Sequence, residues 1–422
     1  MKLASTFPRY GEYEPQVPVW CLTPKEGRCI HRFFDTPALS PSNRFAAVTR
    51  FPFEDRLPRP GEKAAIVLID LETGTEKVVY ETAGWETQLG ANLNWGVDDS
   101  TLFFNDTDLQ TWQPVTVRLN PHTGNFEKFG RGVYHVSPDG KWALCAALER
   151  TRRTQFGYGV MIPDEKVPIH WDPPADTGLY LTSLETGECR LLLSLADFIQ
   201  ALIPEHERPA VAGRCYYGFH AQWSPAGTHL LFTVRGVHHA WALGMSTISN
   251  HPLHFYIATM AADGSDLKLA MGASFWNRPG HHTRFTPDGL SLTCNNQFHY
   301  DRLHFVIMNR DGSDKRLLIE NVHGSGHPTL SPDQKFILTD TYTKERAGPG
   351  DGTSLLRWID LETGSDRTIV RIRTSQPSSN GALRIDPHPA WDRSGRFVVF
   401  NGAPDGQTRR VFLADLGPLL GG

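Results

Sequence analysis

The chain has 422 residues, of which 40% are hydrophobic and 21% are charged, and its formal net charge is -4. This is the composition of an ordinary folded protein, without the basic footprint of a nucleic-acid-binding protein and without an apolar run long enough to span a bilayer. The N-terminal stretch has no apolar segment, so we expect a cytoplasmic protein, or a periplasmic or secreted one if a leader has been removed. The six scattered cysteines predict reduced structural thiols.

A turn rich in Asp, Asn, Gly and Ser-Pro recurs along the chain, each time between two short apolar segments. Each copy predicts a short strand, a tight turn and a second strand. In chain order the copies are ALSPSNRFAAVTR from Ala38, LNWGVDDSTLFFND from Leu93, YHVSPDGKWALCA from Tyr134, AQWSPAGTHLLFTVR from Ala221, TRFTPDGLSLTCN from Thr283, PTLSPDQKFILTD from Pro328 and PAWDRSGRFVVFNG from Pro389.

A second hairpin follows most of these turns. Three copies share a Leu-Glu-Thr-Gly turn, as in AIVLIDLETGTEKVVY, and two others use Asp-Gly-Ser. A unit of four antiparallel strands that recurs seven times predicts an all-β fold, a seven-bladed β-propeller built from residues 1–422 as a single domain. The spacing between units is uneven, and the excess length is predicted to be inserted loop, mainly within residues 150–220.

The two ends of the chain predict how the ring closes. The seventh unit stops at RRVFLADL, after its third strand, and the N-terminal QVPVWCLTP has the pattern of the missing fourth strand. We therefore expect residues near 15–23 to pair with the strand at 410–416, because closure by an N-terminal strand removes the exposed sheet edge.

A histidine precedes the inner strand in four consecutive units. At this register the seven units carry Thr36, Asn92, Val133, His220, His282, His327 and His388. The inner strands of a propeller surround its central channel, so the four imidazoles are predicted to converge at the channel mouth. They suit a divalent metal ion such as Mn, Zn, Ni or Fe, and the expected cofactor is a divalent ion, Ca or Mn, of open identity. Protonated imidazoles could instead hold a carboxylate, or each ring could cap its own strand.

The loops predicted at the channel rim are polar and rich in Arg, His and Tyr. Arginine pairs bidentately with carboxylates and aromatic rings stack on sugar faces, so these loops indicate an acidic, polar ligand such as a uronic-acid sugar. The candidate substrate-binding residues are Gln88, Asn92, Arg152, Arg153, Tyr300 and Arg409. His31 and Arg32 precede blade one in a loop to the same rim, although the apolar residues around His31 also fit a packed ring.

Several long motifs resemble those of a known propeller family. They are IHRFFDT, GANLNWGVDDSTLFFND, GYGVMIPD, GHHTRFTPDG, GSGHP and RIDPHPAWDRSGRFVVFNG, which together span nearly the whole chain. The sequence is similar to seven-bladed propellers that act on L-rhamnose-α-1,4-D-glucuronate caps of arabinogalactan, described as lyases and as rhamnosidases. The resemblance implies an oligosaccharide substrate and a role in polysaccharide degradation, and it points to no particular protein partner.

A weaker resemblance runs to the oligogalacturonate lyases, which are also seven-bladed propellers and hold manganese with three His and one Gln. Their two C-terminal ligands lie in a Gln-x-x-His-x-His-Pro pattern, of which this sequence keeps the last His, as His388. Leu383 stands in place of the Gln and Asp386 in place of the first His. His282 matches a third ligand, and His238 lies near a loop histidine of that family. The resemblance therefore implies an altered metal site.

Cleavage of a 4-linked uronate by β-elimination needs a neutralised substrate carboxylate, a base for the C5 proton and an acid for the leaving O4. The expected catalytic residues are His31 or His238 as base or acid, Tyr158 as a second acid, and Arg32, Arg152 or Arg235 as the group that neutralises the carboxylate. Hydrolysis by an α-L-rhamnosidase would need a pair of carboxyl groups, and the rim offers no obvious pair. We expect a lyase. The alternatives are an oligogalacturonate lyase, that hydrolase, and a non-catalytic binding platform.

Overall fold

The computed structural model describes residues 3–238, 253–275, 280, 282–299, 302–375 and 381–420, with the backbone alone for Arg153. The described strands form seven antiparallel sheets of four strands each, arranged in a ring. The chain is therefore a seven-bladed β-propeller, and the prediction from the repeated turns is confirmed. The blades are numbered one to seven in chain order below.

The first four blades follow a short N-terminal strand, β1 (Val19–Cys21). From the inner to the outer strand, blade one contains β2 (Cys29–Ile30), β3 (Phe45–Arg50), β4 (Ala64–Asp70) and β5 (Glu76–Thr82); blade two contains β6 (Asn94–Trp95), β7 (Leu102–Asp108), β8 (Gln113–Leu119) and β9 (Phe126–Phe129); blade three contains β10 (His135–Val136), β11 (Trp142–Cys145), β12 (Gly178–Ser183) and β13 (Cys189–Ser194); and blade four contains β14 (Arg214–Trp223), β15 (His229–His238), β16 (His254–Ala261) and β17 (Lys268–Met271).

The last three blades repeat the same order. Blade five contains β18 (Arg284–Phe285), β19 (Ser291–Asn296), β20 (His304–Asn309) and β21 (Arg316–Leu317); blade six contains β22 (Thr329–Leu330), β23 (Phe336–Asp340), β24 (Thr353–Asp360) and β25 (Asp366–Arg373); and blade seven contains β26 (Ala390–Trp391), β27 (Phe397–Gly402) and β28 (Arg410–Asp415), with β1 outermost.

The N-terminal strand closes the ring in the predicted place. β1 pairs antiparallel with β28, with Val19 opposite Ala414 and Cys21 opposite Phe412. Val19 is fully buried in a core that blade seven shares with blade six. Closure therefore joins the first and last strands by backbone hydrogen bonds and by apolar packing, and it leaves no unpaired hairpin edge at this joint.

The apolar core lies between neighbouring blades. Between blades one and two, for example, Ile66, Leu102, Phe104 and Trp85 are each at most 1% exposed. Strands buried on both faces have nearly continuous apolar runs. This explains why polar and apolar residues alternate little along the middle strands of the blades. All six cysteines are free and five are buried, and burial raises the pKa of the Cys29 thiol to about 12.

Blade one departs from the predicted pattern because its inner strand is interrupted. The sequence predicted this strand directly before the turn at Ser40, but Leu39 forms only an isolated bridge with Ala46. The inner strand β2 pairs instead with the far end of β3. Residues 31–37, here called the channel plug, leave the sheet between these two points. Phe33 in this plug contacts histidines from blades four, five, six and seven, so the plug lies in the middle of the channel.

Among the described residues, three helices lie outside the blades: α1 (Leu3–Thr6), α2 (Leu148–Thr154) and α3 (Leu195–Leu202). α3 begins at Ser194, whose side chain accepts a hydrogen bond from the backbone N–H of Asp197, as a helix N-cap does. Its buried Phe198 and Ile199 pack on the core between blades three and four. Short 3-10 helices occur at residues 164–166, 205–210, 273–275 and 417–419. Within the described part of the chain, no helix has the length and apolar character needed to cross a membrane.

Candidate functional site

Three histidines meet at the end of the channel where the inner strands begin, here called the upper end. The ring centroids of His282 and His327 lie 4.0 Å apart, and those of His327 and His388 lie 4.4 Å apart. All three side chains are buried. His282 and His388 have a left-handed backbone, with φ of 58° and 50°, and Gly326 before His327 has a φ of 43°. A similar backbone bend therefore precedes the inner strand in three consecutive blades.

The Nδ1 atom of each of these rings is held by an oxygen. His282 and His388 direct Nδ1 to backbone carbonyl oxygens over 2.7 Å and 3.2 Å. His327 Nδ1 lies 2.9 Å and 3.0 Å from the two carboxylate oxygens of Asp340. Because a carboxylate and a carbonyl only accept hydrogen bonds, each Nδ1 carries a ring proton, and in a neutral ring the lone pair then lies on Nε2. The cluster therefore contains three imidazoles in the tautomer that binds metal through Nε2.

Asp340, at the end of β23, fixes two of the three histidines. Its Oδ1 also accepts from the backbone N–H of His327 over 2.7 Å, and its Oδ2 accepts from the backbone N–H of His388 over 3.0 Å. The carboxylate is only 1% exposed. A buried carboxyl group that accepts from this many donors is held in one position, so it orients the rings of blades six and seven together.

Asp386 brings an oxygen ligand to the same place. One ligand atom from each of His327, Asp386 and His388 lies within 4.8 Å of the other two. His388 Nε2 is 3.7 Å from Asp386 Oδ2 and has no hydrogen-bond partner among the residues that the structure describes. A metal ion is one group that would satisfy a buried nitrogen lone pair of this kind. Mixed imidazole and carboxylate donors fit Mn, Fe or Zn, whereas calcium takes oxygen ligands, so the calcium alternative fits this cluster poorly.

His220, the fourth histidine of the predicted set, is held apart from the other three. The Phe33 ring lies 5.0 Å from the His220 ring and 4.6 Å from the His388 ring. His220 stacks instead on Phe219, at 4.0 Å, and on Tyr134, at 5.4 Å. The channel plug therefore fills the centre of the ring of histidines, and the structure brings three of the four together, with Asp386 beside them.

Arg384 and Tyr158 extend the cluster toward the open side of the channel. Arg384 Nε donates to Asp386 Oδ2 over 2.8 Å, and its Nη2 donates to the Tyr158 hydroxyl over 3.0 Å. Burial raises the pKa of Tyr158, so its hydroxyl is protonated near neutral pH. Tyr342 reaches the cluster from blade six, and its hydroxyl lies 3.4 Å from His327 Nε2. Arg384 and Tyr342 are the half-buried members of this group.

Arg235 adjoins the cluster through aromatic packing. The Tyr158 and Phe219 rings are 5.0 Å apart, and the Arg235 guanidinium lies 4.0 Å from the Phe219 ring centre. Arg235 Nη1 also donates to Gln155 Oε1 over 2.9 Å. His238 is three residues further along β15, and alternation along the strand places it on the opposite face from Arg235. The structure thus associates Arg235 and Tyr158, but not His238, with the cluster.

His31 and Arg32 do not lie at an accessible rim, contrary to the expectation from the sequence. Both are 1% exposed and belong to the channel plug. The His31 ring lies beside the backbone of Pro387 and His388, and burial lowers its pKa to about 4. The Arg32 side chain pairs with Asp35 at 2.9 Å. The physical reason is that the inner strand of blade one is interrupted, so this segment turns into the channel and its polar groups are used within the fold.

Three more predicted residues support neighbouring loops and do not present polar groups to a ligand. Gln88 Nε2 donates to the carbonyl of Ala382, and Arg409 donates to the carbonyls of Thr87 and Leu383. Both side chains are at most 2% exposed. They hold the loop 381–386, which carries Arg384 and Asp386. Asn92 accepts from Arg32 Nε over 3.2 Å and so steadies the plug.

The remaining predicted residues lie away from the cluster or outside the described parts. Arg152, on α2, pairs with Asp164 in the inserted loop of blade three. The side chain of Arg153 and the whole of Tyr300 are outside the described residues. The position of these two relative to the cluster therefore stays a prediction.

Sequence reasoning did not select Asp340, Arg384 or Tyr342. A signal for Asp340 was present, because Thr329 pairs with Leu338 in blade six, and extending this register by two residues places Asp340 opposite His327. Arg384 stands two residues before Asp386 in the RIDPHP motif, which puts both on one side of an extended segment. No local pattern distinguishes Tyr342 from the other residues of its long loop.

No protein-family model matches the chain, and no curated protein matches it. Solved structures do resemble it. One is an oligogalacturonate lyase in complex with manganese, with 14% sequence identity and a TM-score of 0.64, covering 97% of this chain and 96% of that chain. The oligogalacturonate lyase of Vibrio parahaemolyticus has 14% identity and a TM-score of 0.65 over the same shares. A puromycin hydrolase S511A mutant has 12% identity and a TM-score of 0.53, covering 98% of this chain and 56% of that chain. At such identities these similarities establish a shared propeller fold.

Proposed function

We propose that this protein is a metal-dependent lyase that cleaves a uronic-acid oligosaccharide by β-elimination, with L-rhamnose-α-1,4-D-glucuronate as the linkage. The observation that carries the proposal is the buried cluster of His282, His327, His388 and Asp386 directly beside Arg384. The full-length similarity in fold to an oligogalacturonate lyase with manganese supports the general reaction. The motifs quoted from the sequence support the rhamnose-glucuronate linkage.

His282, His327 and His388 would hold the metal ion through Nε2, and Asp386 through a carboxylate oxygen. When bound, such an ion supplies positive charge that neutralises a substrate carboxylate and so acidifies the adjacent C–H bond. Asp340 and the plug carbonyl of Arg32 would keep the ring orientations of His327 and His388 fixed, since they hold Nδ1 in each case.

Arg384 would bind the substrate carboxylate. Its guanidinium is half-buried, it is fixed by Asp386 on one side and Tyr158 on the other, and arginine binds carboxylates through paired N–H groups. Arg235 lies further along the same wall, behind Phe219, and would add positive charge there. Fixed positive charge at a developing carbanion stabilises the transition state.

Two tyrosines would carry the protons. The Tyr158 hydroxyl oxygen accepts a hydrogen bond from Arg384, so its own proton remains available for the leaving O4. Tyr342 is half-buried next to His327 Nε2, and burial raises its pKa. It would take the C5 proton as a tyrosinate, a form that the positive charge of Arg384 and of a bound metal ion would favour. His31 is unsuited to this role, because its ring is buried in the plug.

A hydrolase is less well supported than a lyase. Glycoside hydrolysis in its usual form needs one carboxylic acid and one free carboxylate flanking the bond. The two carboxylates of the cluster are engaged, since Asp340 accepts three hydrogen bonds from two histidines and Asp386 accepts one from Arg384. Neither is free to protonate a leaving group.

The test is an incubation of the purified protein, loaded with Mn²⁺, with rhamnosyl-glucuronate oligosaccharides and separately with oligogalacturonates. An ultraviolet absorbance from a new C4–C5 double bond, together with released rhamnose, is expected with the first substrate. Rhamnose without that absorbance would identify a hydrolase, and turnover of oligogalacturonate alone would identify the other lyase. Absence of any product from either substrate would favour the alternative that the protein is a non-catalytic binding platform. His327→Ala should be inactive, and His206→Ala, whose side chain is 81% exposed, is the matched control.

A further inference from the structure

A second ring of polar side chains lies two residues beyond the histidine register on the inner strands. These positions lie on the inner strands, which surround the channel. In blades two to five it consists of Asn94, His135, Gln222 and Arg284. These side chains line a cavity of about 500 Å³ at the opposite, lower end of the channel. None of them takes part in the proposed reaction.

The channel plug separates this cavity from the histidine cluster. Phe33 is fully buried and packs on the histidines, whereas Asp35 and Thr36, which follow in the plug, line the lower cavity. Arg284 meets the plug from the lower side, and its Nη1 donates to the carbonyl oxygen of Phe34 over 3.3 Å. The lower cavity is therefore a compartment of its own.

The charged residues of the lower cavity leave an excess of positive charge. Its carboxylate, Asp35, is paired with Arg32 at 2.9 Å. Arg284 and Arg393 also line the cavity, and within the described ranges neither forms an ion pair; Arg393 donates instead to the carbonyl of Gly96 over 2.7 Å. Burial lowers the pKa of both guanidinium groups, and the carboxylates of Asp35, near Arg284, and of Asp99, near Arg393, offset the cost of this desolvation only in part. An anion in the cavity would offset this cost.

Further hydrogen-bond donors and aromatic surface complete the lining. His135 Nδ1 accepts from the backbone N–H of Trp223 over 2.9 Å, so the ring proton lies on Nε2 and can be donated. The Trp223 side chain is 6% exposed, and its indole N–H has no acceptor among the described residues. Trp95 also lines the cavity. A volume of this size with aromatic walls and a few polar groups is typical of a site for an organic molecule and larger than an inorganic anion needs.

We propose that the lower cavity is a second binding site, specific for a small hydroxylated carboxylate of the size of one uronic acid, with Arg284 as the partner of the carboxylate group. His135 and the Trp223 indole would donate to hydroxyl or carboxylate oxygens, and the tryptophan rings would contact the sugar face. This inference does not rest on the lyase activity, because it concerns different residues at the other end of the channel.

Isothermal titration calorimetry with D-glucuronate tests the site directly. This probe has no 4-linked sugar to eliminate, so the result is independent of whether the protein is a lyase. Arg284→Gln should weaken binding about tenfold or more, since it removes a charge-assisted pair. Gln222→Glu, which adds a carboxylate to the cavity, should weaken it as well. The control is Arg316→Gln in the outer strand of the same blade, where the arginine side chain is 57% exposed. D-glucose, which lacks the carboxylate, should bind about tenfold more weakly than D-glucuronate to the unmodified protein.

Three outcomes would overturn this assignment. The first is an unmodified protein that does not bind D-glucuronate, or an Arg284→Gln variant with unchanged affinity. The second is binding that Arg384→Gln abolishes and Arg284→Gln does not, which would place the probe at the upper end. The third is inorganic phosphate that binds as tightly as D-glucuronate, which would mean that the hydroxyl groups are not recognised. Thermal unfolding of each variant shows whether it is folded. If Arg284→Gln does not fold, Gln222→Glu still tests the site.

Discussion

Asp340 lies opposite His327 in the inner hairpin of blade six and binds both its backbone N–H, at 2.7 Å, and its Nδ1, at 2.9 Å. The same carboxylate accepts from the backbone N–H of His388 in the next blade. One buried side chain therefore sets the ring tautomer of His327 and the position of His388. The geometry of the proposed metal site depends on a residue that does not itself belong to the ligand set.

Asp340→Asn should weaken Mn²⁺ binding by about 10- to 100-fold, because the amide cannot accept from all three donors and removes the negative charge behind His327. The affinity is measured by isothermal titration calorimetry with Mn²⁺, which does not require turnover. Asp314→Asn, in an exposed turn of blade five, is the control and should bind as the unmodified protein does. Equal affinity of Asp340→Asn and the control would show that Asp340 does not support the site.

His388→Ala and His220→Ala should differ in their effect on the same titration. His388→Ala removes a ligand and should abolish measurable Mn²⁺ binding, whereas His220→Ala should keep it, since Phe33 lies between His220 and the cluster. His220 stacks on Phe219, so its replacement should lower stability and leave metal affinity intact. Loss of Mn²⁺ binding in a folded His220→Ala variant would restore the four-histidine site predicted from the sequence.

Arg384→Gln should lower the rate of elimination by about 100-fold or more, because it removes the fixed charge that faces the substrate carboxylate. Mn²⁺ affinity should change little, since Asp386 and the histidines remain. The pair of measurements is the initial rate of double-bond formation and the Mn²⁺ titration. Arg396→Gln is a suitable control, because that arginine is 57% exposed and pairs with Asp415 on the outside of blade seven. A rate within a few-fold of the control would remove Arg384 from the mechanism.

His31→Ala should destabilise the protein by about 1–3 kcal/mol, because the side chain is 1% exposed and its removal leaves a cavity in the channel plug. Denaturant unfolding measures this cost. Any loss of activity should follow the loss of folded protein, since the ring is buried beneath the cluster. A variant with unchanged stability and no turnover would instead support the catalytic role that the sequence predicted.

Glu86→Gln should alter how stability depends on pH. Burial raises the pKa of Glu86 from 4.5 to about 8, and the backbone N–H of Gly159 donates to its Oε2. Between these two pH values the unfolded carboxyl ionises and the folded one stays protonated, so the folded state binds more protons and stability falls as the pH rises. The slope is at most about 1.4 kcal/mol per pH unit.

Glutamine keeps an acceptor for Gly159 and cannot ionise. The Glu86→Gln variant should therefore equal the unmodified protein near pH 4.5 and exceed its stability near pH 8. Denaturant unfolding at several pH values measures the difference, and Glu185→Gln, at a 67% exposed side chain, is the control. If the difference in unfolding free energy between the variant and the unmodified protein stays constant across this pH range, Glu86 is ionised in the folded protein.

The sequence alone determined the propeller and its closure. These features follow from local patterns, because a strand-turn-strand unit has a fixed period and each blade packs on the next. The register of His282, His327 and His388 before three inner strands also followed from that repeat, since equivalent positions in a closed ring face the same channel.

Only the tertiary structure decided how the channel is filled and which polar groups remain available. The IHRFFD stretch looked like an exposed loop because its neighbours in sequence do not reveal that blade one lacks a continuous inner strand. Phe33 enters the space between four other blades and separates His220 from the cluster. Asp340 and Arg384 reach the cluster through contacts with residues of other segments. Such contacts depend on the distances between blades, and the period of a repeat carries no information about them.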